Sequence, residues 1–89
     1  MNYAIELGRM AEKAIRRGLI NDDELRAIIG DFLDKFEGVD VNIEFKKLAG
    51  KWAGFYRIRK RDLRIIARVD FDGRRVFVDR IDDRKDVYK

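Results

Sequence analysis

The chain has 89 residues, 43% of them Asp, Glu, Lys or Arg, a formal net charge of +4, and no cysteine, histidine or proline. That length gives one domain with a modest core. Without thiols or imidazoles there are no disulfides, no thiolate metal site and no imidazole acid–base group. Asp82, Asp83 and Asp86 offer a carboxylate metal site only as a minor reading, and neither a metal nor another cofactor is expected. The segment Met1–Leu19 does not resemble a signal peptide and no apolar run is long enough to span a membrane, so a cytoplasmic location without a membrane partner is expected. The charge is divided unevenly. Residues 1–45 carry six Lys/Arg and ten Asp/Glu, net −4, whereas residues 46–89 carry fifteen and seven, net +8. A basic half on a small domain suits a polyanion, either nucleic acid or an acidic protein.

In chain order, Asn2–Leu7 is compatible with a short strand or with an extension of the first helix. Met10, Ala11, Ala14 and Ile15 form a narrow apolar stripe at helical spacing, with Gly18 as a stop. The second helix is better marked and runs from about Asp22 to Glu37. Leu25, Ile28, Ile29, Phe32, Leu33 and Phe36 share one face of it. Asn21 can cap it with Glu24 in capping-box position, Ile20 and Leu25 stand as a hydrophobic staple, and Gly38 can end it. Asp40–Gly54 reads as an irregular connection whose Phe45, Leu48 and Trp52 cover an edge of the core. Phe55–Lys60, Leu63–Phe71 and Arg74–Ile81 are strand-like. Asp72-Gly73 is a strong hairpin signal, and Arg61-Asp62 is a second candidate two-residue turn.

These two turns fix a register. Arg59 falls opposite Arg64, Arg57 opposite Ile66, Ala67 opposite Val78 and Val69 opposite Val76. Side chains alternate along a strand, so one sheet face collects Tyr56, Ile58, Ile65, Ala67, Val69, Val76 and Val78. The other collects Phe55, Arg57, Arg59, Arg64, Ile66, Arg68, Arg75 and Phe77. Opposed like charges repel by roughly a few tenths of a kcal/mol per pair, so this face suits a bound anion. Guanidinium groups hold phosphate through paired hydrogen bonds and stack on bases, and Phe55 or Phe77 adds a stacking surface. A solvated polar face is the competing reading.

The run Lys46-Lys47-Leu48-Ala49-Gly50-Lys51-Trp52-Ala53-Gly54-Phe55-Tyr56-Arg57-Ile58-Arg59 resembles the RelE/ParE toxin superfamily, in which a K-L-x-G segment leads into Y-R-I-R on a strand. Leu63-Arg64-Ile65-Ile66 is similar to the family's Y-R-I-I strand. Arg80-Ile81-Asp82-Asp83-Arg84-Lys85-Asp86-Val87-Tyr88 is similar to its closing R-I-x-H-R-K-D-V-Y. The likeness covers about residues 46–88. It implies an α+β fold of order β-α-α-β-β-β over residues 1–89. In that fold two N-terminal helices pack on one face of a small, mainly antiparallel twisted sheet, and Tyr3–Leu7 is an edge strand.

The resemblance further implies a ribosome-dependent endoribonuclease toxin, or mRNA interferase, of a toxin–antitoxin system. It would cut mRNA in the ribosomal A site without a metal, by attack of a ribose 2′-hydroxyl on the adjacent phosphate. The implied partners are a cognate antitoxin protein, the ribosome and mRNA. By the same resemblance Arg57 and Arg59 act at the scissile phosphate, Arg64 stabilises the transition state, Arg84 is the C-terminal catalytic arginine, and Tyr88 stacks on or orients the substrate nucleotide. Lys60, Arg61, Arg68, Arg75, Phe77 and Lys85 are further candidate RNA contacts. Two departures stand out: Leu63 replaces the family's tyrosine and Asp83 its frequent histidine. They keep open a catalytically inactive antitoxin-binding member, and the shared strand keeps open a ParE-like toxin directed at DNA gyrase.

Other residues have plainer readings. Trp52 and Tyr56 suit the core. Asp22, Asp23 and Glu24 suit the dipole of the helix start. Lys13, Arg16 and Arg17 suit a solvated helix face.

Overall fold

The computed structural model describes residues 2–83. Along them run β1 (Ala4–Leu7), α1 (Arg9–Arg16), α2 (Asp22–Phe36), β2 (Glu44–Lys47), a 3-10 turn (Gly50–Trp52), β3 (Phe55–Lys60), β4 (Leu63–Asp70) and β5 (Arg75–Asp83). The five strands form one sheet in the order β1-β5-β4-β3-β2. β1 runs parallel to β5, and the other neighbours are antiparallel. This is the α+β architecture expected, with β1 as an edge strand.

Local chemistry sets the helices. The Asn21 side chain accepts a hydrogen bond of 2.8 Å from the Glu24 backbone N–H, which satisfies one free donor of the first turn of α2. Ile20 and Leu25 are both buried beside that cap. Past the last turn Gly38 takes φ +96°, a left-handed value that suits a residue without a Cβ. Leu25, Ile28, Ile29, Phe32 and Leu33 are buried along one face. Phe36, expected with them, is 41% exposed, because it lies at the helix end and stacks against Phe71 of the β4–β5 connection at 4.9 Å. On α1, Ala11 and Ala14 are buried, whereas Met10, expected in the same stripe, is 50% exposed. A stripe of two alanines is enough for so short a helix to approach β5.

The expectation of an irregular connection over residues 40–54 is corrected. Glu44–Lys47 is a fourth antiparallel strand that pairs with β3 from Glu44↔Arg59 to Lys47↔Tyr56. It turns only Phe45 toward the helices, between exposed Glu44 and Lys46, which is too little alternation for the sequence to announce a strand. Phe45 completes an aromatic cluster around the fully buried Phe32, whose ring lies 5.0 Å from Phe45 and 5.5 Å from Tyr56.

The register of the long strands is as expected, including Arg59↔Arg64, Arg57↔Ile66, Ala67↔Val78 and Val69↔Val76. Arg61-Asp62 is the two-residue connection between the paired Lys60 and Leu63. The other hairpin is wider than two residues. Its last pair is Asp70↔Arg75, and the Gly73 N–H donates to the Asp70 carboxylate at 3.0 Å. The left-handed residue of that turn is Arg74, at φ 53°.

One irregularity decides which side chains face where. Ala67 pairs with Val78, but Ile66 pairs with Arg80, so Asp79 is an extra residue in β5. A bulge of this kind shifts the alternation by one. Strict alternation from Val76 and Val78 would aim Arg80 at the helices and Ile81 at water. With the bulge, Ile81 is buried at 3% exposure and Arg80 moves to the opposite face.

Phe32→Ala should cost about 3–5 kcal/mol, and Asn21→Ala about 1 kcal/mol. Urea unfolding followed by circular dichroism measures both, and the reverse ranking would contradict this core.

Candidate functional site

The face of the sheet turned away from the helices carries the arginines. Cross-strand neighbours place its side chains in rows. One row runs Glu44, Arg59, Arg64, Asp82. The next runs Lys46, Arg57, Ile66, Arg80. A third runs Phe55, Arg68, Phe77, Glu6. Arg75 follows, opposite Asp70. The structure thus brings Arg57, Arg59, Arg64, Arg68, Arg75 and Phe77 onto one surface.

The arginines differ in their partners. Arg59 reaches Glu44 at 3.7 Å, Arg75 reaches Glu6 at 3.9 Å, and Arg80 holds its neighbour Asp79 at 3.0 Å. These solvent-accessible pairs are worth about 0–1 kcal/mol each, so a phosphate can displace them. Arg57 and Arg64 have no ion pair among the described residues. Arg57 is half-buried, and its Nε–H is buried without any hydrogen-bond partner among the described residues. An unsatisfied buried donor costs roughly 1–3 kcal/mol. A phosphate at the guanidinium would gain charge-assisted bonds, which are the stronger kind.

Arginine and aromatic groups interleave on this surface. The Arg68 guanidinium lies 5.3 Å from the Phe55 ring centre and 5.5 Å from that of Phe77. Arg80 lies 5.1 Å over Trp52, which meets Phe55 edge-on at 5.3 Å. Trp52, expected in the core, is half-buried on the outer face, because the 3-10 turn swings it away from the helices. Tyr56 does pack on the core side, against Phe32, Phe36 and Phe45. Arg80 and Trp52 were not expected on this surface. The signal for Arg80 lay in Asp79-Arg80, two polar residues in succession between Val78 and Ile81.

Lys60 is apart from the arginines. Its amine donates to the Asn42 carbonyl at 2.8 Å on the helix side of β3. With exposed Arg61 and Lys35 it borders a cleft of about 740 Å³ that also reaches Glu44 and Arg59 at the end of the sheet. Arg84, Lys85 and Tyr88 lie outside the described residues.

If Arg64 serves a ligand rather than the fold, Arg64→Met should relieve its repulsion with Arg59. Stability in urea should stay level or rise by a few tenths of a kcal/mol, while retention on heparin falls. A stability loss beyond about 1 kcal/mol would make it a structural residue.

No protein-family model matches the sequence, and no curated protein matches it. Solved structures do match. A metal-bound toxin from Helicobacter pylori aligns at 16% identity over 96% of this chain and 98% of that one, with a TM-score of 0.70. YafQ from E. coli aligns at 14% identity over 99% and 100%, with a TM-score of 0.63. The RelB-RelE antitoxin-toxin complex from Methanococcus jannaschii aligns at 20% identity over 93% and 94%, with a TM-score of 0.60. Agreement over nearly the whole of each chain, together with the element order and the five-stranded mixed sheet, means that this chain has the fold of the RelE-type toxins.

Proposed function

We propose that this chain is the toxin of a toxin–antitoxin pair and that it inhibits translation by cutting mRNA in the ribosomal A site. The observation that carries this reading is the pair Arg57 and Arg64 on the outer face. Neither has a carboxylate partner among the described residues, and Arg57 keeps a buried, unsatisfied N–H. The likeness to RelE-type toxins supports it, as does the resemblance of the Tyr56–Arg59 and Leu63–Ile66 strands to the family's motifs.

In the proposed reaction the 2′-oxygen of one ribose forms a bond to the adjacent phosphorus as the bond from phosphorus to the next 5′-oxygen breaks. The 2′-hydroxyl loses its proton and the departing 5′-oxygen gains one. Negative charge grows on the phosphate oxygens in between. Fixed cations aimed at such charge are a large source of rate enhancement. Arg57 and Arg59 hold the scissile phosphate, and Arg64, two rungs away on β4 from Arg57's partner Ile66, meets the charge of the transition state. Arginine stays protonated at ordinary pH and makes a poor base, and the chain has no histidine. Orientation and electrostatics therefore carry more of the rate than proton abstraction does. Arg84 and Tyr88 enter this scheme by resemblance alone.

The antitoxin would be an acidic protein segment laid over the same basic face, because complementary charge speeds association and blocks RNA. The setting of the reaction would be cytoplasmic, where ribosomes and mRNA meet.

Purified protein free of antitoxin is incubated with programmed ribosomes, and mRNA ends are mapped by primer extension. Discrete A-site cuts are expected, and Arg64→Ala should reduce them by a hundredfold or more, in the range of about 10²–10³ for removing one transition-state donor. Intact mRNA from folded protein would overturn the nuclease. Inhibition of gyrase supercoiling by the same preparation would then favour a ParE-like toxin.

A further inference from the structure

Beside the arginines assigned to the phosphate lies a line of alternating guanidinium groups and rings. Arg80 covers Trp52, Trp52 meets Phe55, and Arg68 lies between Phe55 and Phe77, all with centre distances of 5.1–5.5 Å. The 3-10 turn, β3, β4 and β5 all contribute. Phe55, Arg68 and Phe77 are direct cross-strand neighbours, and their row adjoins that of Lys46, Arg57 and Arg80. Adjacent same-face positions along a strand are roughly 7 Å apart, so rings and cations lie about one nucleotide's width from one another.

The row lies outside the core that the sheet makes with the helices. None of its rings belongs to the hydrophobic core cluster. Arg68 is exposed and has no carboxylate partner among the described residues, in a chain with 17 acidic side chains. The bulge at Asp79 brings Arg80 to this side and so completes the line. Rings and guanidinium planes beside backbone-binding cations are what an unpaired nucleic-acid strand requires: each base offers a flat face, and stacking tolerates any sequence. A duplex hides those faces, and an acidic peptide has no need of them.

We infer that the Trp52–Phe55–Phe77 row, with Arg68 and Arg80, is a base-stacking platform that binds single-stranded RNA without the ribosome. Phosphates run along Arg57, Arg59 and Arg64, and bases lie over the rings. The inference rests on the RNA-directed reading above and defines its ligand as an unpaired strand held before it meets the ribosome.

Trp52 is the only tryptophan in the chain, so intrinsic fluorescence reports from the platform itself. Antitoxin-free protein is titrated with a short single-stranded RNA of mixed sequence, 2′-O-methylated to prevent cleavage, and with the same sequence as a duplex. Saturable quenching is expected, at least several-fold tighter for the single strand. Arg68→Lys keeps the charge and removes the planar group, and should weaken binding about fivefold or more, as should Phe77→Leu. Circular dichroism checks that each variant is folded. Equal affinity for strand and duplex, or wild-type affinity in folded Arg68→Lys and Phe77→Leu, would overturn the platform. So would the absence of binding by folded protein at low salt, which would leave the row to an acidic protein segment. The ribosome assay is independent. Single-strand binding with mRNA left intact removes the nuclease and keeps the platform. A-site cutting without free-RNA binding does the reverse.

Discussion

Side chains alternate across a sheet, so each position that buries an Ile or Val against the helices commits its neighbours to the other face. In this molecule both faces are occupied. Ile58, Ile65, Ala67, Val76, Val78 and Ile81 are buried toward α1 and α2, and the residues that alternate with them form the outer face, Arg57, Arg59, Arg64 and Arg68 beside Ile66 and Phe77. Loss of phase in one strand would place guanidinium groups in the core and Val or Ile in water. The bulge at Asp79 keeps β5 in phase where its sequence breaks alternation. It lets Val78 and Ile81 both remain buried while Asp79 and Arg80 join the outer face. Core and candidate site are thus two consequences of one register.

The outer face trades stability for charge. Arg59 and Arg64 stand directly opposite one another, and Arg57 adjoins Lys46. Such neighbours repel, and the pairs with Glu44 and Glu6 from the two edge strands are exposed and offset little of it. The fold tolerates the arrangement because its stability comes from elsewhere. Phe32 is fully buried among Phe45, Tyr56 and Phe36, and the helix residues beside it close over the apolar face. A ligand that brings negative charge would relieve the face, and a sheet anchored by a rigid aromatic cluster holds the arginines still for it.

Much of this was legible in the sequence because it depends on short-range chemistry. Asn21 and Glu24 marked the start of α2, and the connections at Arg61-Asp62 and Asp72-Gly73 fixed a register that put Arg57, Arg59 and Arg64 together. The resemblance to a known fold resolved β1, whose four residues carry too little pattern to distinguish strand from helix. What was missed depends on tertiary context. β2 aims one apolar side chain inward, and its existence rests on pairing with β3. Pairing of Arg59 and Arg75 with acids depends on edge strands whose register no turn sets. Trp52 and Arg80 were assigned elsewhere, or to nothing, because a 3-10 turn and a bulge redirect them. Only the adjacent polar residues Asp79 and Arg80 hinted at the change.

Nuclear magnetic resonance of the arginine Nε–Hε groups tests the role of the outer face most directly. A 2′-O-methylated dinucleotide supplies the phosphodiester without being cut. Its addition should shift the Arg57 and Arg64 signals most and leave Arg9, Arg16 and Arg26 of the helices in place. Shifts confined to the helix arginines, with Arg57 and Arg64 unmoved at saturation, would show that the sheet face is not where phosphate binds.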